Sequence, residues 1–229
     1  MRHVLQAATL FMLIPLVMGT SASADDSNEF SEANQALFLT PHFENVDDVG
    51  VTLSYRYERS GNDVDQPFTD EITVVITDVM EDHWRSADVS FFSGERERYF
   101  PPLQRARGNP VLTAFLQHDI TRQGEQTNAP ARHLQNRIKT VLEEDFEIRT
   151  VKFSFNGEEV EGREIVIEPY RDDPYNGRYP RQWRNKTYTF VVSEQVPGMV
   201  YSIRAELPDA ARDGYRYRDV LTLDSVSGP

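Results

Sequence analysis

The sequence contains no cysteine among its 229 residues. That absence excludes a disulfide scaffold, cysteine-ligated zinc or iron–sulfur sites, a thiol nucleophile and a lipid-modified N-terminal cysteine. Lysine is also scarce: only Lys139, Lys152 and Lys186 occur among 24 basic residues, so the positive charge is almost entirely guanidinium. Because 37 acidic residues give a net charge of -13 at pH 7, nucleic acid is disfavoured as a partner.

Common catalytic signatures are absent as well. The chain has no G-x-S-x-G, H-E-x-x-H, G-x-x-x-x-G-K or G-x-G-x-x-G pattern. We therefore predict a protein that is not an enzyme and that holds no cofactor or metal. His118 and His133 lie on two predicted helices, where Asp119 or Glu143 could join them in a metal or acid–base site. The alternative is that both histidines simply face solvent.

The N-terminus has the pattern of a secretory signal. Arg2 and His3 precede a mostly apolar run over 7–18, which Pro15 interrupts and which ends shortly before the small residues Ala22-Ser23-Ala24. The run is shorter than the roughly 20 residues that span a bilayer. We therefore predict cleavage before Asp25.

This pattern sets the predicted domain organisation and compartment. We predict a signal peptide over 1–24, a flexible leader over 25–32 and a single exported domain over 33–229, with an alternative sub-boundary near 145. The mature protein is expected in the periplasm, or otherwise secreted. We expect no stable membrane insertion after cleavage, because nothing later in the chain resembles a membrane span.

Alternating apolar residues predict strands before and after a single helical region. Residues 49–59 follow a two-residue period typical of a half-buried antiparallel strand. Ser93-Gly94-Glu95 predicts a turn into a fourth strand that ends at Pro101-Pro102. Asn156-Gly157 predicts a tight hairpin, since both residues tolerate positive φ angles.

Two amphipathic helices interrupt the strands. Asn109-Pro110 predicts the start of the first helix, because Asn is a favoured N-cap and Pro suits the first helical position. Asn128 and Pro130 mark the second. The predicted fold class is mainly β (α+β): a curved antiparallel sheet of about nine strands with the inserted helical pair on its concave face. The alternative is a small α+β module followed by a β-sandwich.

An apolar interior between the helical pair and the sheet is the first candidate binding site. If this interior is incompletely filled, it could hold an apolar or amphiphilic ligand. The predicted lining residues are Leu53, Val74, Phe91, Phe115, Leu116, Leu134 and Ile138.

A rim of arginine and aromatic residues is the second candidate. Residues 171–188 combine a local positive charge with interleaved aromatic rings, and 212–218 and 96–107 resemble them. Guanidinium beside aromatic faces recognises anionic head groups, carbohydrates or carboxylates. The predicted rim residues are Arg171, Arg178, Tyr179, Arg181, Trp183, Arg184, Arg216 and Arg218. The alternative is that these arginines neutralise nearby carboxylates while the rings anchor loops.

The order of elements, a curved sheet with an inserted helical pair behind a signal peptide, is similar to the half-barrel carriers that move lipoproteins across the bacterial periplasm. That resemblance covers the pattern of elements and matches no residue motif, so it assigns no functional residue. It implies a soluble exported binding protein, a carrier of a lipid or another amphiphile. The alternatives are a non-catalytic module that binds an envelope protein, and an enzyme whose titratable groups converge in one cleft.

Overall fold

The structure, a computed structural model, describes residues 30–144, 147–174, 177 and 180–228. The predicted signal peptide over 1–24 lies outside the described residues, as do residues 25–29 of the predicted leader. Within the described ranges, no helix is both long and apolar enough to cross a membrane.

The described residues form nine strands and three α-helices. The strands are β1 (Thr52–Ser60), β2 (Phe68–Val79), β3 (Arg85–Phe91), β4 (Leu103–Ala106), β5 (Arg149–Phe155), β6 (Glu158–Ile167), β7 (Thr187–Val192), β8 (Val200–Pro208) and β9 (Tyr215–Ser227). The helices are α1 (Glu32–Asn34), α2 (Pro110–Thr127) and α3 (Ala131–Leu142), and a π-helical turn (Gln35–Leu39) follows α1 directly.

All nine strands belong to one open antiparallel sheet with the order β4-β3-β2-β1-β9-β8-β7-β6-β5. Strand β9 pairs with both β1 and β8, so it joins the N-terminal and C-terminal halves of the sheet. Helices α2 and α3 are inserted between β4 and β5, the two edge strands. The predicted fold class is confirmed. One continuous sheet is observed, and not the alternative of a small α+β module followed by a β-sandwich.

One face of the sheet is buried against the helices. Along β1 the side chains of Leu53, Tyr55 and Tyr57 are fully buried and alternate with partly or fully exposed residues, as the period of a strand requires. Helix α2 contacts β2 and β3 on one side of the sheet centre and β8 on the other. A single helix reaches both groups of strands because the sheet curves around it.

Asn109 fixes the start of α2, as the sequence predicted. Its side-chain oxygen accepts a hydrogen bond from the Val111 N–H, and Pro110 occupies the first helical position. Its side-chain amide donates to the Tyr55 hydroxyl at 2.7 Å and to the Gly198 carbonyl at 2.9 Å. One buried residue therefore caps the helix and ties it to the sheet.

The predicted hairpin is confirmed and the predicted fourth strand is displaced. Asn156 and Gly157 have φ angles of 51° and 82° between β5 and β6, as a tight turn requires. The fourth strand was expected to end at Pro101-Pro102, but β4 begins after these prolines. Phe92 has a φ of 66°, which turns the chain out of β3 into a loop over 92–102.

Candidate functional site: an apolar groove beside a basic pocket

A groove of about 540 Å³ lies between α2, α3, the N-terminal helical segment and the loop over 92–102. We call it the apolar groove. It is lined by Asn34, Phe38, Phe100, Thr113, Leu116, Gln117, Ile120, Gln135, Ile138, Lys139, Leu142 and Glu143.

The spacing of residues on the two helices explains the character of the apolar groove. Leu116 and Ile120 on α2 lie one helical turn apart, as do Ile138 and Leu142 on α3, so each helix offers an apolar stripe. These four residues are buried, whereas the polar lining residues of the helices are exposed. The apolar groove therefore has an apolar floor and a polar rim.

The structure divides the predicted interior residues between the apolar groove and the core. Leu116 and Ile138 line the apolar groove. The other five are buried in the core and are absent from its lining; they are Leu53, Val74, Phe91, Phe115 and Leu134. The groove thus lies beside the helical pair, against the N-terminal segment, and not between the pair and the sheet, where we expected the ligand.

A second cavity, of about 340 Å³, opens on another side of α2. We call it the basic pocket. It is lined by Arg59, Phe68, Phe92, Arg96, Arg98, His118, Thr121, Arg122 and Glu125. The lining of this pocket thus contains four guanidinium groups and one carboxylate, although the protein has a net charge of -13.

The arginines of the basic pocket differ in exposure. Arg59 and Arg122 have side chains that are 13% exposed, whereas the Arg96 side chain is 50% exposed. Arg96 stacks over the Phe68 ring at 4.5 Å, which orients its guanidinium. Arg98 is exposed, and its guanidinium donates a hydrogen bond of 3.0 Å to the carbonyl of the adjacent Glu97. Two guanidiniums therefore form the floor and two stand at the mouth.

A hydrogen-bonded network of buried charges supports the floor of the basic pocket. Lys186 donates to the carboxylate of Asp119 and, at 3.0 Å, to the side chain of Gln123. Tyr188 donates to the same carboxylate at 2.6 Å, and Arg122 does so at 2.7 Å. We call these five residues the buried polar cluster. Burial raises the pKa of Asp119, but Lys186 and Arg122 outweigh burial and hold it well below its usual range.

Arg122 links the buried polar cluster to β9. Its Nη2 atom donates to both Asp119 and Asp219, and Arg59 lies 4.0 Å from the Asp219 carboxylate. The Nε and Nη1 atoms of Arg122 are buried and have no acceptor among the described residues. The Arg122 guanidinium therefore keeps hydrogen-bonding capacity that the described protein groups do not use.

His118 responds to this electrostatic environment. Burial, and then the positive charge of Arg122, lower the pKa of His118 from 6.5 to about 4. Arg59 and Arg98 act in the same direction, while Asp119 opposes them. The imidazole is therefore neutral at pH 7, chiefly because it is buried and secondly because Arg122 is close.

The lowered pKa of His118 predicts a pH-dependent stability. Because the unfolded chain binds this proton more readily, the contribution of His118 is fully present above pH 6.5 and is lost as the pH falls toward 4. Over this range, we expect the free energy of unfolding of the parent to fall by roughly 2–3 kcal/mol more than that of the His118→Gln variant. Urea unfolding at intervals between pH 7 and pH 4 measures the difference. Parallel curves for the two proteins would contradict the prediction.

The apolar groove and the basic pocket are neighbours on α2. Gln117 lines the groove, Thr121 lines the pocket, and the Gln117 side-chain amide donates to the Thr121 hydroxyl at 3.1 Å. The loop over 92–102 also contributes to both, since Phe100 lines the groove and Arg98 the pocket. One hydrogen bond thus links a lining residue of the apolar groove to a lining residue of the basic pocket.

The structure pairs several residues of the predicted rim with carboxylates. Arg171 bonds to Glu168, and Arg218 donates to Glu206 at 2.8 Å. Arg216 lies 2.7 Å from Asp63. These three contacts agree with the alternative in which the rim arginines neutralise acidic neighbours.

The remaining rim residues differ in exposure where the structure describes them. Arg178 and Tyr179 lie outside the described residues. Arg181 is exposed, while Arg184 is partly buried. Trp183 is buried and stacks on Tyr217, with 5.6 Å between ring centroids, so two of the predicted segments do meet. Whether these residues contact a ligand stays a prediction.

Sequence reasoning missed most of the basic pocket. Arg96 and Arg98 lie in the segment 96–107 that the sequence analysis singled out, whereas Arg59 on β1 and Arg122 on α2 lie outside all three arginine-rich segments. The two helical histidines do not form the site that their positions suggested. His118 lies in the basic pocket, whereas His133 is 2.7 Å from Asp173. Within the described ranges, no group of three or more potential ligands is arranged to hold a metal ion.

Comparisons with known proteins give distant structural similarity alone. No family model and no curated protein matches the chain. The lipoprotein LppX of Mycobacterium tuberculosis is similar over 78% of this chain and 87% of its own, with 8% identity and a TM-score of 0.31. A LolA superfamily protein from Nitrosomonas europaea is similar over 85% of this chain and 92% of its own, with 9% identity and a TM-score of 0.19.

Proposed function

We propose that this protein is a soluble exported binding protein, periplasmic or otherwise secreted, that carries an apolar or amphiphilic ligand such as a lipid in the apolar groove. The observation that carries the proposal is the groove itself, a volume of about 540 Å³ with an apolar floor. Ligand sites for small molecules typically enclose about 300–1,000 Å³ and are lined mostly by apolar side chains.

The lining of the apolar groove favours an amphiphile over a purely apolar ligand. Leu116, Ile120, Ile138 and Leu142 supply a surface for a hydrocarbon chain. The exposed polar residues at the rim, among them Gln135, can solvate or bind a polar end. Export follows from the predicted signal peptide over 1–24, and a ligand-holding role requires no catalytic residues.

A bulky residue in the apolar groove tests this function. We expect Gln135→Trp to weaken binding of 1-N-phenylnaphthylamine, an uncharged apolar fluorescent probe, on the order of tenfold because the indole occupies ligand volume. Asn136→Trp is the matched control, since Asn136 is the adjacent exposed residue of α3 and does not line the groove. A fluorescence titration measures both affinities.

The two tryptophan variants also separate occlusion of the groove from unfolding. Both substitutions are on the surface of α3, so we expect their unfolding free energies to stay within about 0.5 kcal/mol of the parent. A parent protein that does not bind the probe, or equal weakening by both variants, would overturn the proposed use of the apolar groove.

The second candidate function is a non-catalytic module for envelope assembly that binds a protein partner through an exposed strand edge or through the rim of arginine and aromatic residues. The edge strand β5 carries the charged residues Arg149 and Lys152, and Lys152 is bonded to Glu159 on β6. Charged side chains on an edge oppose the addition of another strand. The apolar groove is therefore the better-supported site.

A further inference from the structure

We infer that the basic pocket binds a phosphate group. If the proposed function holds, this group is the head of the amphiphile whose apolar chain lies in the apolar groove. Only the placement of the ligand's hydrocarbon chain rests on the proposed function, because the basic pocket has its own geometry and its own charged residues.

The charge of the basic pocket suits a phosphate. Arg59, Arg96, Arg98 and Arg122 line it together with one carboxylate, Glu125. Three further carboxylates offset this charge: Asp219 and Asp119 both accept from Arg122, and Asp70 lies 3.8 Å from Arg96. Lys186, which is bonded to Asp119, adds a fifth basic group, so five basic groups stand against four carboxylates and one net positive charge remains. A carboxylate ligand needs only one guanidinium, whereas several phosphate oxygens can engage several.

Unused donors at the floor point to an acceptor from outside the chain. The buried Nε and Nη1 atoms of Arg122 have no acceptor among the described residues. A buried donor without a partner is unfavourable, and a phosphate oxygen could satisfy these atoms only after the Arg122 side chain shifts toward the basic pocket, because they are closed to a molecule the size of water. The Tyr57 hydroxyl is likewise buried without a described partner, and its ring packs against Phe92 and His118 of the pocket wall.

The position of the basic pocket fits the head group of a ligand in the apolar groove. The two sites share α2 and the loop over 92–102, and the bonded side chains of Gln117 and Thr121 lie where they adjoin. Phe68 and Phe92 add apolar walls to the basic pocket. These walls exclude water and strengthen charge-assisted hydrogen bonds to a phosphate.

The test compares two doubly substituted proteins of equal charge. Arg96→Gln/Arg98→Gln removes both arginines from the mouth of the basic pocket. Arg105→Gln/Arg107→Gln is the control, because these exposed arginines lie close by in the chain but stack on Trp84, outside the pocket. Calorimetric titrations of each protein use dodecyl phosphate, the uncharged 1-dodecanol and inorganic phosphate.

We expect the parent to bind dodecyl phosphate more tightly than 1-dodecanol. Arg96→Gln/Arg98→Gln should weaken dodecyl phosphate binding by roughly tenfold or more, because it removes two guanidiniums that can form charge-assisted hydrogen bonds to the phosphate. The control should change the affinity for dodecyl phosphate by less than about twofold, since exposed charges outside a binding site contribute little to affinity. Equal affinities for dodecyl phosphate in the two double variants would overturn the inference.

The probes distinguish the source of the phosphate and the two proposals. Much tighter binding of dodecyl phosphate than of inorganic phosphate identifies a lipid head group, whereas similar affinities identify a free phosphate. If 1-dodecanol and the apolar probe do not bind but phosphate binds through Arg96 and Arg98, the proposed function is wrong and the phosphate site in the basic pocket is retained.

The imidazole of His118, followed by NMR, gives a second readout. Its pKa should rise when an anion offsets the surrounding arginines.

Discussion

Replacing Lys186 by methionine is expected to lower the free energy of unfolding by about 3–5 kcal/mol. Lys186 is 2% exposed and forms an ion pair with Asp119, which is 1% exposed. The substitution removes one partner and leaves the carboxylate buried with Arg122 and Tyr188 alone. Breaking a buried ion pair costs more than the pair contributes, because the remaining charge is not solvated. Urea unfolding at pH 7 measures the loss.

The chain offers a matched control for this substitution. Lys152 forms an ion pair with Glu159 at the same kind of distance, 2.7 Å, but both side chains are more than half exposed. We expect Lys152→Met to change the free energy of unfolding by less than about 1 kcal/mol. Similar losses for the two variants would show that burial does not determine how much the Lys186–Asp119 ion pair contributes to the free energy of unfolding.

A double-mutant cycle isolates the pair itself. We expect Asp119→Asn and Lys186→Met to be non-additive, with a coupling energy of about 1–3 kcal/mol. Additive losses would contradict a direct interaction between the two side chains.

Replacing Asn109 by alanine is expected to lower the free energy of unfolding by about 3–4 kcal/mol. Loss of the helix cap accounts for about 1 kcal/mol. The buried Tyr55 hydroxyl loses its donor, at about 1–3 kcal/mol for a group left unsatisfied. The Gly198 carbonyl also loses a donor but keeps the Val200 N–H, so this bond contributes about 0.5–1.5 kcal/mol. Thermal and urea unfolding measure the total.

Two further variants divide this loss into its parts. Asn109→Ser keeps an oxygen for the Val111 N–H and should recover about 1 kcal/mol relative to alanine. Asn136→Ala, at an exposed position of α3, should change the free energy of unfolding by less than about 0.5 kcal/mol. Identical losses for the serine and alanine variants of Asn109 would exclude a capping contribution.

Local chemistry made much of the fold predictable. The cap at Asn109, the hairpin at Asn156-Gly157 and the alternation in β1 depend on residues close together in sequence. The strand order could not be obtained in this way, because nothing local to β9 specifies that it pairs with both β1 and β8. Phe92 shows the same limit on a smaller scale, since its positive φ moves β4 beyond the prolines.

The sites were less predictable because they depend on segments without regular structure. The apolar groove exists where Phe38 and Phe100 come to rest beside the helical pair, and periodicity does not place either residue. The basic pocket gathers arginines from separate elements, whereas the dense run over 171–188 suggested a different site. The sequence left open whether Arg216 and Arg218 bind a ligand or pair with carboxylates, because their partners Asp63 and Glu206 lie on other segments.

Strand β9 has a consequence for the order of events in biosynthesis. The strand that occupies the centre of the sheet leaves the ribosome after the eight others, so β1 and β8 wait for it with unpaired edges. Contacts between distant parts of a chain form slowly, since a long loop must close first. The two halves of the sheet, β1 to β4 and β5 to β8, can therefore join only after β9 has been synthesised.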